Sequence, residues 1–313
     1  MTPFRFAAAL TAASLLAAPN PACAQTHDST LTGFPALASD FVYTSLAFTP
    51  ANATQSGLHD WTNPYTGRRA HLDSLLDDFS PAAIAKQRAY FEKVQTRLAA
   101  LDRSHLDAQT QADYDVVSNA AGFALFSLTR ERFPQSRPQL YAEDLGNTLF
   151  SNIALEYASK DARAVDLTAR VARVPEYVAV ARRNLEATNE VFTRVALEET
   201  DGVIALLKGL GTDFTRSTPS AGRYTSAAPA AVAALESYKQ FIRDTLPKRG
   251  TVDWRMGAAL FGEKWKYSLQ VSLTPDEMLR IAEDSMRTTR NQMLVLARPL
   301  HDGGRRVHRQ HDH

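Results

Sequence analysis

The sequence predicts an all-α protein, a multi-helix bundle or array, on three observations. Apolar residues recur at helical spacing in segment after segment. No stretch sustains two-residue alternation, and Ser, Asp, Pro and Gly fall at the ends of the periodic runs, where caps and turns need them.

Residues 1–24 stand apart from that fold as a signal peptide. Arg5 supplies a positive start and Phe6 to Ala18 an apolar run too short for a membrane helix. Ala22-Cys23-Ala24 then offers the small residues a signal peptidase reads, with cleavage near Ala24 and Gln25 as the new N-terminus. A lipid-anchored Cys23 is the alternative, but it calls for an apolar residue three places earlier, where Asn20 stands. Cleavage removes the single cysteine, so disulfides, thiolate metal sites and a Cys nucleophile are excluded together. The expected address is periplasmic or secreted, and no later apolar run is long enough for a membrane span.

Residues 25–33 read as a flexible polar leader and 34–298 as the helical domain. Phe34 to Phe48 is apolar and aromatic and predicts a short helix ending by Pro50. Gly57, Pro64, Gly67 and several Asp and Asn residues make Pro50 to Phe79 a loop. Ser80-Pro81 is an N-cap followed by proline at the first helical position. Behind it Ile84, Phe91 and Leu98, interleaved by Val94 and Leu101, form one stripe. A second helix starts near Asp107 and runs to Leu128, and Pro134 and Pro138 mark a loop.

Tyr141 to Ser159 predicts a further helix, and Val165, Val171 and Val174 the next, with a kink or fresh start at Pro175. Tyr177, Ala181, Leu185 and Phe192 continue that period. A short helix at Gly202–Leu210, a loop at Gly211–Ala227 and helices at Pro229–Leu246 and Arg255–Ser268 follow. Thr274-Pro275-Asp276-Glu277 is a capping box, and the helix it opens is expected to end before Pro299.

Residues 299–313 change composition abruptly. Four of the eight histidines lie in the last thirteen residues, and Val307 is the only aliphatic side chain there. Three readings stand: a metal-binding tail using His308, His311 and His313, a disordered solvated end, or out-of-frame translation after a frameshift.

Charge narrows the partners. The formal net charge is +1, and removing residues 1–24, which hold Arg5 and no acid, leaves zero. No basic stripe is present to hold phosphates, so nucleic acid is not an expected partner.

Catalytic motifs are scarce. No H-E-x-x-H or G-x-S-x-G occurs, and His27, His59, His71 and His105 show no pairing at ligand spacing. His59-Asp60 is the most suggestive pair, able to move a proton or bind a carboxylate, or simply to fix a turn after Gly57. Glu198, Glu199 and Asp201 form the densest acidic cluster, which could hold a cation only with oxygens from elsewhere and is read as a solvated helix end. Trp254, Trp265 and Tyr267 suggest either an aromatic platform or core. No catalytic, cofactor-binding or metal residue is assigned from the sequence.

Several segments, taken in order, carry a family resemblance. Pro50-Ala51-Asn52-Ala53-Thr54-Gln55-Ser56-Gly57-Leu58-His59 resembles the P-x-x-A-T-x-x-G-x-H opening of the bacterial domain of unknown function 885 family. Leu72-Asp73, Asp77-Asp78-Phe79-Ser80, Ala112-Asp113-Tyr114-Asp115 and Arg170-Val171-Ala172-Arg173-Val174-Pro175-Glu176-Tyr177 follow at matching places. The resemblance covers about Phe34 to Arg298. It implies an N-terminal part of a gluzincin-like, all-α zinc metallopeptidase fold whose H-E-x-x-H helix lies in a C-terminal half with no counterpart here. The expectation is therefore an exported, truncated protein, inactive alone, with no cofactor of its own although zinc is implied for full-length relatives. A peptide-like substrate would belong to the full-length form, and exposed apolar faces would favour self-association. The alternative is a non-catalytic periplasmic helical binding or scaffold protein.

Overall fold

Ser80, Asp107, Ser159 and Asn189 show how this chain starts its helices: each side-chain oxygen accepts a backbone N–H from two or three residues further on. The computed structural model describes residues 33–309, so the expected signal peptide, most of the expected leader and the last four residues lie outside it.

Helices α1 (Gly33–Phe48), α2 (Pro50–Gln55), α3 (Pro81–Ala99) and α4 (Ala108–Phe126) form the N-terminal part. Between α2 and α3 lie strands β1 (Asp60–Thr62) and β2 (Arg69–His71), an antiparallel pair with Asp60 opposite His71. Phe34, Leu37 and Phe41 of α1 pack with Phe91, Val94 and Leu98 of α3 and with Val117 and Ala121 of α4. From Phe91 to Leu101 the periodic stripe predicted for 84–101 is thus the seam of this unit, while Ile84 at its start is half-buried outside this cluster.

Next come α5 (Phe133–Ser136), α6 (Pro138–Ala154), α7 (Lys160–Asn184), α8 (Glu190–Leu206), α9 (Thr212–Thr215), α10 (Ala221–Asp244) and α11 (Leu246–Arg249). Here α7 lies along α10, and α6 along α7 and α8. Their shared core holds Leu145, Leu149, Leu167, Val171, Val174, Leu235, Phe241 and Ile242. Finally α12 (Ala258–Leu269) docks on α4, and α13 (Pro275–Arg309) follows its capping box, in which Glu277 accepts from the Thr274 backbone at 2.7 Å and Thr274 accepts from the Glu277 backbone at 3.2 Å.

The all-α array holds, and several local expectations do not. The loop expected at Pro134 and Pro138 carries α5 and the start of α6, and the short helix expected at Gly202–Leu210 is the end of α8 and the turn after it. The expected loop 50–79 contains α2 and the small hairpin. No fresh start occurs at Pro175: α7 runs through it, because Val171, Val174, Tyr177 and Val178 on both sides are buried and their packing exceeds the roughly 3 kcal/mol an interior proline costs. The period expected to reach Phe192 stops at Leu185: residues 185–189 are irregular, Thr188 bridges to Thr251, and Asn189 caps a new helix. The expected loop 211–227 is mostly helical, and α10 begins at Ala221 and passes through Pro229.

The last concerns the C-terminus. α13 continues through Pro299 to Arg309, so the segment expected to be disordered is helical that far, while 310–313 lie outside the described residues. Proline still removes one intrahelical hydrogen bond, but every residue from Leu279 to His301 is exposed, and water can satisfy the freed carbonyl.

Candidate functional site

The site begins with α2. Pro50 sits at its first turn, Ala53 is buried, and Thr54 turns its hydroxyl inward. Gly57 takes φ +79°, a left-handed conformation that suits glycine, and swings the chain toward His59 and β1. Thr54 Oγ1 donates to Asp73 Oδ1 at 2.7 Å and accepts from Arg170 Nη2 at 2.9 Å.

Arg170, on α7, has no exposed surface and is the pin of this region. Nε donates to the Leu75 carbonyl at 2.9 Å. Nη1 reaches the Thr148 carbonyl at 2.8 Å, Ser151 Oγ at 3.1 Å and Asn152 Oδ1 at 2.8 Å, and Nη2 also reaches the Leu72 carbonyl at 3.3 Å. One guanidinium fork therefore ties α7 to α2, to α6 and to the turn after β2. Burial lowers its pKa, while Tyr157, Asp73, Asp77 and Asp166 oppose that shift electrostatically.

Around this pin lies a cluster of histidines and carboxylates. Asp73 is fully buried, with His59 Nδ1 at 3.1 Å from Oδ1 and 2.9 Å from Oδ2. The His59 ring stacks on Tyr157 at 4.8 Å between centroids. Tyr157 donates to Asp166 Oδ2 at 3.0 Å and accepts from Asn152 Nδ2 at 2.7 Å; burial pushes its pKa upward, so it stays a neutral donor. His71 bridges two carboxylates: Nε2 lies 2.9 Å from Asp166 Oδ1 and Nδ1 lies 3.2 Å from Asp60 Oδ1. Burial alone lowers the His71 pKa, but Asp166 and the hydrogen bonds to both carboxylates outweigh it, and the net shift is upward.

His59 and Asp60, singled out as neighbours in sequence, do not act as a pair. Each engages a partner elsewhere, His59 with Asp73 and Asp60 with His71, yet both belong to one cluster. His71, Asp73 and Asp166 offer ligand atoms all within 4.8 Å of one another, the one such group among the described residues. Sequence spacing could not reveal it, since His71 and Asp166 are 95 residues apart. The family-like segments did contain a signal: P-x-x-A-T-x-x-G-x-H supplies Thr54, Gly57 and His59, Leu72-Asp73 supplies the buried carboxylate, and Arg170 heads its own stretch.

A second polar group adjoins it. Asp77 and Asp144 hydrogen-bond to each other, Ala51 N–H donates to Asp77 Oδ1 at 3.2 Å, and Tyr177 donates to Asp144 Oδ2 at 2.7 Å. Burial raises both carboxyls, Asp144 to about 6 and Asp77 well above its ordinary value. One proton shared between the two fits that geometry.

The remaining candidates separate. Glu198, Glu199 and Asp201 lie within α8 and not at a solvated helix end. Asp201 pairs with Lys239, and Glu199 keeps one buried oxygen without a hydrogen bond, its pKa raised to about 7 by burial and by Glu143 and Glu198. Tyr267 packs beside Phe123 and Phe126, where a Cβ on Gly122 would come within 2.8 Å of its ring, and Trp265 donates to the Leu273 carbonyl. Trp254 is exposed under the Arg255 guanidinium. The three aromatics thus form no common platform. His105 is exposed beside Asp102; His27, His308, His311 and His313 fall where nothing of their side chains is described.

The other distinctive surface is α13. Leu279, Ile281, Met286, Met293, Leu294, Val295, Leu296 and Leu300 are all exposed, the last by 78%. No described helix is long and apolar enough to cross a membrane.

These features define an all-α helical array built around a buried arginine and a His–Asp cluster, with an uncovered C-terminal helix. The family of bacterial proteins of unknown function designated DUF885 matches residues 50–310, and the chain belongs to that family. No curated protein matches the sequence. A solved structure from Shewanella oneidensis, described as a "putative lipoprotein of unknown function", superposes with a TM-score of 0.71 at 19% identity. It covers 84% of this chain, whereas this chain spans 47% of that one. At that identity the likeness shows the shared fold.

Proposed function

We propose that this chain is the N-terminal, cleft-forming part of an exported metallopeptidase-like protein whose catalytic zinc helix is carried by a further segment, so that the chain alone does not hydrolyse peptides. The observation that supports this reading is the surface of α13. Eight large apolar side chains lie uncovered between Leu279 and Leu300, while the solved relative of the same fold is about twice the length of the region shared with it. Monomeric soluble proteins rarely leave such a stripe bare, and a second helical layer packed on it would bury it. Export is supported by the Arg5, Phe6–Ala18 and Ala22–Ala24 pattern. The family's H-E-x-x-H pattern occurs nowhere in this sequence, so none of its histidines receives that role.

The test is the coding sequence downstream of Arg298 read in all three frames, followed by expression of the chain alone and joined to what is encoded there. The expected result is an H-E-x-x-H helix in that stretch. The chain alone should then self-associate and leave peptides intact with zinc added, and the joined protein should be a monomer with chelator-sensitive hydrolysis. A monodisperse, cooperatively unfolding monomer with no such helix downstream overturns the reading in favour of a non-catalytic binding protein.

A further inference from the structure

We propose that His71, Asp73 and Asp166 form a divalent transition-metal site, suited to zinc, on the N-terminal part of this fold. The proposal goes beyond the peptidase-like reading and does not rest on it.

Three observations carry it. First, the donor set is mixed in the way zinc accepts. One imidazole nitrogen and two carboxylate oxygens lie within 4.8 Å of one another. Bonds of about 2.0–2.2 Å in tetrahedral geometry draw donors to roughly 3.5 Å separation, which small side-chain rotations can supply. Second, Asp73 has no exposed surface, and its Oδ2 accepts no hydrogen bond even though His59 Nδ1 lies 2.9 Å away. In the tautomer with hydrogen on Nδ1 that nitrogen has one hydrogen to give, and the aligned bond runs to Oδ1, which Thr54 also reaches. A buried carboxylate oxygen left in this state is costly, and a cation satisfies it.

Third, the outer partners are in place. Asp60 accepts from His71 Nδ1, which turns Nε2 inward, the carboxylate–histidine arrangement that metal-binding histidines use. Tyr157 donates to Asp166 Oδ2 and leaves Oδ1 facing His71. Arg170 attracts Asp73 only across space, because its own N–H donors go to carbonyls, hydroxyls and the Asn152 amide. On binding, the metal replaces the hydrogen between His71 Nε2 and Asp166 Oδ1, and that proton leaves to solvent. The His71 side chain is 47% exposed, so the site has an entry path, and water completes the fourth position.

The histidines near the C-terminus are the competing ligands, so the test is made on the full chain with His301, His308, His311 and His313 all changed to alanine. Calorimetric titration with zinc chloride should show one tight equivalent. His71→Ala should weaken it at least about 100-fold and Asp60→Asn by about 10–100-fold, as loss of an outer-shell partner does. Zinc should raise the melting temperature of the tail-substituted chain and leave that of its His71→Ala version unchanged. Both substituted side chains are partly exposed, and circular dichroism before titration checks that the fold persists. Absence of a tight equivalent after the tail substitutions, or equal affinity with and without His71, overturns the site. Neither readout involves hydrolysis, so failure here leaves the peptidase-like reading untouched, and the reverse.

Discussion

The α6–α7–α8–α10 core and the C-terminal α13 are both long-helical and both rich in leucine and valine, yet they stand at opposite extremes of burial. Leu145, Leu149 and Leu167 have no exposed surface, whereas Leu296 and Leu300 are exposed by 72% and 78%. The difference lies in what surrounds them. In the core, Arg170 and a shell of carbonyls and hydroxyls fix how α7 sits against its neighbours, so the inward-facing apolar side chains pack in place. Along α13 no layer of the described residues lies opposite the apolar side chains, and the helix is held at its start by the capping box. Amphipathicity therefore does not by itself report burial: it marks a helix designed for a partner, present in one region and absent in the other.

The strongest way to break the core is at its polar pin. Arg170→Met keeps most of the volume but leaves the Leu75, Thr148 and Leu72 carbonyls and Asn152 without their shared donor. Each buried polar group stripped of its partner costs about 1–3 kcal/mol, so the loss should exceed about 3 kcal/mol. Urea denaturation of the two proteins measures it. A loss under 1 kcal/mol would show that the surrounding apolar core, and not the guanidinium network, sets the geometry.

That pin also explains how much of the molecule could be read in advance. Helix starts at Ser80, Asp107 and Thr274 were legible because capping is local chemistry: oxygen and N–H lie two or three residues apart. The seam Phe91–Val94–Leu98 was legible because period alone places it. The passage of α7 through Pro175 was not, since the packing that overrides proline comes from α6 and α10. The His–Asp cluster was half legible. The segments containing Thr54, His59, Asp73 and Arg170 could each be noticed, but only the folded chain shows that Asp166 and Tyr157 complete them. The acidic run in α8 misled because sequence density says nothing about which carboxylate points inward, and Glu199 does.

A smaller effect should come from the Asp77–Asp144 pair. Its carboxyls titrate higher in the folded chain than in the unfolded one, so the fold binds more protons between about pH 4 and the raised values. The stability this contributes is full below the ordinary carboxylate range and is lost as pH rises through about 6, the value for Asp144. Asp77→Asn fixes the neutral form, keeps an acceptor for Ala51 N–H, and should flatten that decline, raising stability above pH 7 by on the order of 1–2 kcal/mol. Glu199, raised to about 7, declines in the same direction, so Glu199→Gln run in parallel assigns what remains of the slope. Denaturation midpoints from pH 4 to 8 give the comparison, and an unchanged slope in Asp77→Asn would show that the pair carries no shared proton.

The smallest effect on stability, and the sharpest test of the contrast, lies on α13. Leu167→Ala in the core should cost about 2–5 kcal/mol, the range for a fully buried leucine that leaves a cavity. Leu296→Ala removes the same atoms from a side chain already in water, so its unfolding midpoint should stay within about 0.5 kcal/mol of the parent. Association should respond in the opposite order. If the stripe from Leu279 to Leu300 is where copies of the chain meet, Leu296→Ala should lower the associated fraction in light scattering while Leu167→Ala leaves it the same or raises it by exposing core. A Leu296→Ala cost comparable to that of Leu167→Ala would mean that α13 is covered in solution and that the two regions are alike after all.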